Sequence, residues 1–222
     1  MNWSQVQVKR NSASLPSSIA ATWDATTKAG NLLLAFVCYS GTATSSITPP
    51  SGWTQPGWTA SNMPGTAMEI FYIDASAPRS GSESFSFGTG PGTAALFMAE
   101  YSGGGAPVDG GATSTGNSAS PVTATYNFTL NPEILALAVF AHGNSSNFTA
   151  PTNGFTIRDQ VAVGSNNFGW LDKIATAVGD QSTQVGAGTS GVYCTRIVGF
   201  TATPDPPIIY GASRMRDVNL RL

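Results

Sequence analysis

Two unbroken apolar runs dominate the chain, NLLLAFVCYSG at 31–41 and EILALAVFAHG at 133–143. With no polar residue between Leu32 and Cys38, the first run predicts a strand covered on both faces. QVQVKR at 5–10 and SESFSF at 82–87 show the two-residue period of half-buried strands, and MEIFYID at 68–74 reads as a further strand. In SESFSF, Phe85 and Phe87 point inward and Ser84 and Ser86 toward water. Further strands are predicted at 18–26, 94–101, 122–128, 154–163, 168–177, 182–187 and 191–203. No 3.6-residue period lasts three turns. The most helix-like piece, 171–177, is read as a strand because its counterpart at 72–75 has a strand pattern.

The two runs are copies of one unit. Gly143 stands 102 positions after Gly41, and the same offset relates Pro49 to Pro151, Gly52 to Gly154, Trp53 to Phe155, Thr54 to Thr156 and Ala75 to Ala177. A period this long marks two pseudo-equivalent halves, about 29–103 and 131–202, within one domain at 1–203. The matching residues are mostly apolar, Gly and Pro, so what repeats is architecture. Trp53, matched to Phe155, is expected in the core. Residues 11–18 read as turn, and 103–121, rich in Gly, Ser, Thr and Ala, as a linker returning the chain to start the second half.

Pro204, Pro206 and Pro207 end the strand pattern, and 204–222 reads as an extended C-terminal arm. Its candidate docking residues are Ile208, Ile209, Tyr210, Arg214, Met215, Arg216, Leu220, Arg221 and Leu222, a mixture of apolar and arginine anchors suited to a neighbouring subunit. The alternative is a final edge strand folded back on its own sheet.

Composition sharpens the picture. Only 10% of residues are charged, and 25 Gly and 14 Pro suit short strands joined by many turns. A net charge of -2 supplies no basic field, which argues against nucleic acid as a partner. No apolar run reaches the roughly 18 residues of a membrane span, so no membrane insertion is expected. The start, MNWSQVQVKR, has no basic region followed by an apolar one, which points to a viral or intracellular product over a secreted one. So few charges suit a surface covered by neighbours in an assembly, or one rich in Ser, Thr and Asn.

Candidate chemistry is sparse. His142 is the only histidine and its counterpart is Ser40, so a surface position is expected and no triad can be built around a G-x-S-x-G elbow. One His and two separated cysteines, Cys38 and Cys194, cannot assemble an N/S zinc site. The cysteines read as buried thiols, with a disulfide between the halves as the alternative. Glu69 with Glu100 offers a carboxylate pair only if they meet across strands; otherwise Glu69, Asp74, Glu83 and Glu100 read as solvated. Asp109 and Asp180 sit in Gly-rich loops without the clustered acids of a calcium site. No catalytic residue, cofactor or metal is assigned. Trp58, in the loop phrase GWTQPGWT, is either a platform for a sugar ring or a packing or subunit contact.

Taken together, AGNLLLAFV, ITPPSGWT, MEIFYIDA, SESFSF and ALFMAEYSG, with their weaker echo in the second half, resemble the concanavalin-like jelly-roll domains common in tailed-phage virion proteins and bacterial surface proteins. The resemblance spans roughly Gln5 to Thr203. It implies an all-β fold, an antiparallel two-sheet jelly-roll sandwich of eight or more strands, used as a structural or adhesive module and often built into trimers. The expected role is a non-enzymatic structural protein of a phage virion, decorating the capsid or forming part of the tail, with other virion proteins as partners and the C-terminal arm as anchor. A receptor- or glycan-binding module, with a host surface glycan as ligand at Trp58 and near Asn144–Phe148, is the alternative.

Overall fold

A computed structural model describes residues 3–40, 46–56, 61–63, 65–74, 77–103, 108–129 and 133–202, and every regular element among them is a β-strand. The first half contributes β1 (Ser4–Ser14), β2 (Ser18–Thr22), β3 (Leu32–Ser40), β4 (Ile47–Thr48), β5 (Ser61–Met63), β6 (Thr66–Asp74), β7 (Ser82–Phe87) and β8 (Thr93–Ser102). The second contributes β9 (Val108–Ser118), β10 (Tyr126–Phe128), β11 (Ile134–His142), β12 (Thr156–Val163), β13 (Asn166–Ala175), β14 (Gly179–Gln181) and β15 (Gly191–Thr201). All pairings between them are antiparallel.

Each half builds its own inner and outer sheet. The first half has an inner sheet ordered β1-β8-β3-β6-β5 and an outer sheet ordered β2-β7-β4. The second has an inner sheet ordered β9-β15-β11-β13-β12 and an outer pair β10-β14, extended by bridges from Val122 to Gln184 and from Thr149 to Gly186. Strand by strand the two inner sheets have the same neighbours, with β9 in the place of β1 and β11 in the place of β3. The repeat extends to single bridges: Ile47 pairs with Phe87, and Thr149, 102 positions later, pairs with Gly186.

The all-β class and the sandwich packing agree with the sequence, but the layers number four where two sheets were expected. The reason lies in the apolar runs. Leu32, Leu34, Phe36 and Cys38 of β3 meet Leu135, Leu137, Val139 and Ala141 of β11 in a central core between the inner sheets. Leu33, Ala35, Val37 and Tyr39 face the other way, onto Ile19, Phe85 and Phe87 of the first outer sheet. Ile134, Ala136, Ala138 and Phe140 likewise face Phe128, Phe148 and Val185. A strand apolar on both sides needs a cover on both sides, and a single sandwich has only one interior. Each half therefore carries its own cover.

Outward-facing side chains follow the predicted alternation: in β7, Glu83, Phe85 and Phe87 are buried while Ser82, Ser84 and Ser86 are exposed. Trp53 and Phe155, the matched aromatics, are both in the core, at 7% and 4% exposure. Several segments differ from the sequence reading, and the predicted strands 18–26 and 122–128 shorten to Ser18–Thr22 and Tyr126–Phe128. Residues 11–14 continue β1, and the stretch read as a linker contains β9, an eleven-residue strand. Neither shows apolar alternation, since both lie at sheet edges where hydrogen bonding to β8 or β15, and not burial, makes the strand. The strand predicted at 182–187 is reduced to isolated bridges beyond the short β14.

The halves are joined by more than apolar contact. Phe36 packs on Trp170 with ring centroids 5.0 Å apart, and Tyr72 meets Phe200 edge-on at 5.7 Å. Tyr101 donates a hydrogen bond to Asp172 at 2.5 Å, Asn166 Nδ2 donates to Thr93 Oγ1 at 3.2 Å, and Arg10 donates to both Asp159 and the Gln160 carbonyl at 2.6 Å. Gly199 on β15 admits the second outer layer, since a Cβ there would lie 2.3 Å from the Phe128 ring.

Candidate functional site

The acidic side chains that could have formed a reactive pair are structural. Glu100 is fully buried and accepts hydrogen bonds from the Lys28 backbone N–H at 2.8 Å, Asn31 Nδ2 at 2.6 Å and Gln7 Nε2 at 2.5 Å. It thereby ties the turn that enters β3 to the edge strand β1. Glu83 accepts two bonds from the Arg79 guanidinium, at 2.5 and 2.8 Å, and a third from Trp53 Nε1 at 3.1 Å. Its carboxyl is held below the usual range by those bonds and the Arg79 charge, against the opposing pull of burial. The solvated faces expected for these residues are thus corrected: polar groups enter an apolar face when their partners come with them.

Glu69 and Glu100 do not converge. They pair with β3 at Val37 and Leu33, from opposite sides of that strand. Four residues of strand put them about 13 Å apart along the sheet, beyond the roughly 5–9.5 Å of a glycosidase pair.

Glu69 differs from the other acids. It is 6% exposed, and burial raises its carboxyl from 4.5 to about 7, with the Arg196 charge and a 3.1 Å hydrogen bond from Gln55 pulling weakly the other way. Below pH 4.5 both folded and unfolded chains hold this proton, so the group contributes nothing; between 4.5 and about 7 only the folded chain keeps it, and stability falls as pH rises. Above that window the penalty is complete. Glu69→Gln is accordingly expected to raise the unfolding midpoint at pH 8 and leave it nearly unchanged at pH 4.5. Equal shifts at both pH values in urea titrations would show that this carboxyl is not the cause.

His142 is not at the surface as expected but fully buried, its Nε2 2.9 Å from the Ser118 carbonyl and its ring edge-on to Phe148. Phe148 is itself 2% exposed, so it serves the core and not a sugar. Asp180 is bound by Asn127 Nδ2 at 2.7 Å. Among the described residues no three His, Cys, Asp or Glu side chains gather as a metal site would require.

Cys38 and Cys194 form no disulfide and lie on opposite sides of the central core. Burial, reinforced by the neighbouring Cys194, pushes the Cys38 thiol well above its ordinary value. A thiol that cannot ionise does not react. Neither cysteine should react with a thiol-exchange reagent in the native protein, and both should in denaturant; a fast native phase would overturn that placement.

Among the described residues a cleft, a smaller recess and an edge are open to solvent. The cleft, about 410 Å³, lies where β6 leaves its sheet, with Thr54, Tyr72, Asp74 and Arg79 among its lining residues. Tyr72 is half-buried, Asp74 exposed, and Arg79 is anchored by Glu83. A smaller recess of about 180 Å³ follows β13, the counterpart of β6, and is lined in part by Lys173, Ile174 and Gln181. Sequence reasoning missed the first cleft because its members are ordinary in strand patterns and are brought together by the bridge between Thr54 and Tyr72. The edge is the outer side of β9. Trp58 and the whole predicted docking arm, Ile208 to Leu222, lie outside the described residues.

No family model, curated protein or solved structure matches this chain.

Proposed function

We propose that this chain is a non-enzymatic structural protein of a phage virion, decorating the capsid or forming part of the tail, whose halves are each wound as a jelly roll and whose C-terminal segment anchors it to neighbouring subunits. The winding is supported by strand order: β1-β8-β3-β6 on one side and β2-β7-β4 on the other is the order left when a hairpin of eight strands is rolled up. The same neighbours recur in the second half, which makes two rolls and not one.

The observation that carries the role is the use made of ionisable side chains. Glu83, Glu100 and Asp172 are buried in hydrogen bonds that hold strands together. Such a body is built for rigidity, and its scarcity of surface charge suits a position among neighbours. The test is direct. The chain should be found by mass spectrometry in purified particles, and deleting 207–222 should abolish its incorporation while leaving its near-ultraviolet circular dichroism unchanged. A truncated chain that enters particles as well as the full one would remove the anchoring reading.

The cleft at Tyr72 favours a second reading, a glycan-binding adhesion module. An aromatic ring, a carboxylate and a guanidinium around one recess suit a ligand rich in hydroxyl groups. A glycan-array signal lost in Asp74→Ala with the fold intact would support it.

A further inference from the structure

The inner sheets have four edge strands, β1, β5, β9 and β12. An edge strand presents unpaired N–H and C=O groups to any extended chain, and proteins blunt it with charge, a bulge or shortness. Three of these four are blunted. β5 has three residues. β1 carries Lys9 and Arg10, held by Asp24 at 2.5 Å and Asp159 at 2.6 Å. β12 carries Arg158 and Asp159 and is bulged between Ile157 and Asp159.

β9 is the exception. It runs eleven residues, and from Gly110 to Ser118 it has neither a charge nor a proline. Its bulge lies only at its beginning, opposite Gly199 and Phe200. Thr113, Thr115 and Asn117 are exposed, and among the described residues no strand lies on its outer side. Because β9 is the counterpart of β1, the repeat has kept a guarded edge in one copy and a bare edge in the other.

We infer that the bare edge of β9 is the acceptor for the C-terminal segment of a second copy of this chain, which adds to the inner sheet as a further strand. The inference rests on the anchoring role proposed above and gives that anchor its receiving surface. The described residues end at Ala202, whose N–H bonds the Glu133 carbonyl at 3.0 Å, next to the start of β9, since Phe200 pairs with Val108. The segment 203–222 can reach about 66 Å when extended, whereas the eleven residues of β9 span about 36 Å. Its last six residues, DVNLRL, alternate polar and apolar with the period of a strand. Pro204, Pro206 and Pro207 lack the N–H that a ladder needs, so a strand made by this segment would begin after them, and the anchoring role puts its acceptor on a neighbouring copy. Charge agrees: 203–222 holds three Arg and two Asp, a net of +1, and the rest of the chain a net of -3 out of the total of -2. Main-chain hydrogen bonds along the edge would supply affinity, as in other strand additions.

The experiment compares the full chain, the chain lacking 207–222, and Thr113→Lys/Thr115→Lys, which installs on β9 the charge that β1 already has. Light scattering reads assembly and hydrogen exchange reads the amides of 110–118. The full chain should be oligomeric, with those amides exchanging about tenfold more slowly than in the truncated chain, and both variants should be monomeric with unchanged near-ultraviolet circular dichroism. Truncation that dissolves the oligomer without exposing 110–118 overturns β9 as the acceptor while the anchoring role survives. Truncation that leaves the oligomer intact overturns both. A monomeric full chain with 110–118 protected only when the tail is present would mean docking within one chain, which also overturns the inference.

Discussion

Trp170→Ala is expected to lower the unfolding free energy by about 3–5 kcal/mol, the range for truncating a large buried aromatic. Trp170 is fully buried on β13 at the centre of the molecule, against Phe36 at 5.0 Å and edge-on to Tyr101 at 6.3 Å. The cavity would open between two sheets fixed by their own outer layers, so neither can settle into it without disturbing a second core. Trp170→Phe should cost much less. It keeps most of the ring and removes an indole N–H that finds no hydrogen-bond partner among the described residues. Urea titrations of the two variants decide the matter: a loss below about 1 kcal/mol in the alanine variant would mean that the central core is loosely packed.

Asp172→Ala should be the most damaging polar change, costing about 3 kcal/mol. Asp172 lies in the second half, 2% exposed, and accepts from Arg158 Nε at 2.6 Å and from the Tyr101 hydroxyl of the first half at 2.5 Å. The Tyr101 hydroxyl is held well above its ordinary pKa by burial and then by this carboxylate, so it stays a donor and needs an acceptor. Without Asp172 that donor is stranded, while Arg158, about a third exposed, can turn to water. Tyr101→Phe should cost about 1 kcal/mol, and the double variant should lose clearly less than the sum. Additive losses in that cycle would show that the bond does not couple the halves.

Both predictions concern the joint between the halves, and that joint was only partly legible beforehand. The repeat itself was plain, because Gly, Pro and apolar residues at a fixed offset survive divergence when they meet the same backbone demands in both copies. The unbroken run at 32–38 already required cover on both faces of its strand, but not that each half would supply that cover from its own outer sheet. Glu83 could have been read as inward, since it shares the face of Phe85 and Phe87 in β7. Arg79, four residues earlier in the chain, is the partner that makes such a burial tolerable.

Other features had no local signature. Glu100 looked solvated because its three donors come from β1 and from the turn before β3, far away in sequence. His142 is buried because Phe148 covers its ring and the Ser118 carbonyl meets its Nε2, contacts that a strand-end position does not announce.

The sequence by itself determined the all-β class, the duplication and which face of each alternating strand turns inward, because side-chain periodicity and turn chemistry are properties of neighbours along the chain. Only the tertiary structure decided that the two units stack into four layers, that the acids find their partners across strands, and that β9 forms at all. Those outcomes depend on contacts between segments as much as 150 residues apart, where the free energy comes from the match between two surfaces and neither surface carries it in its own pattern.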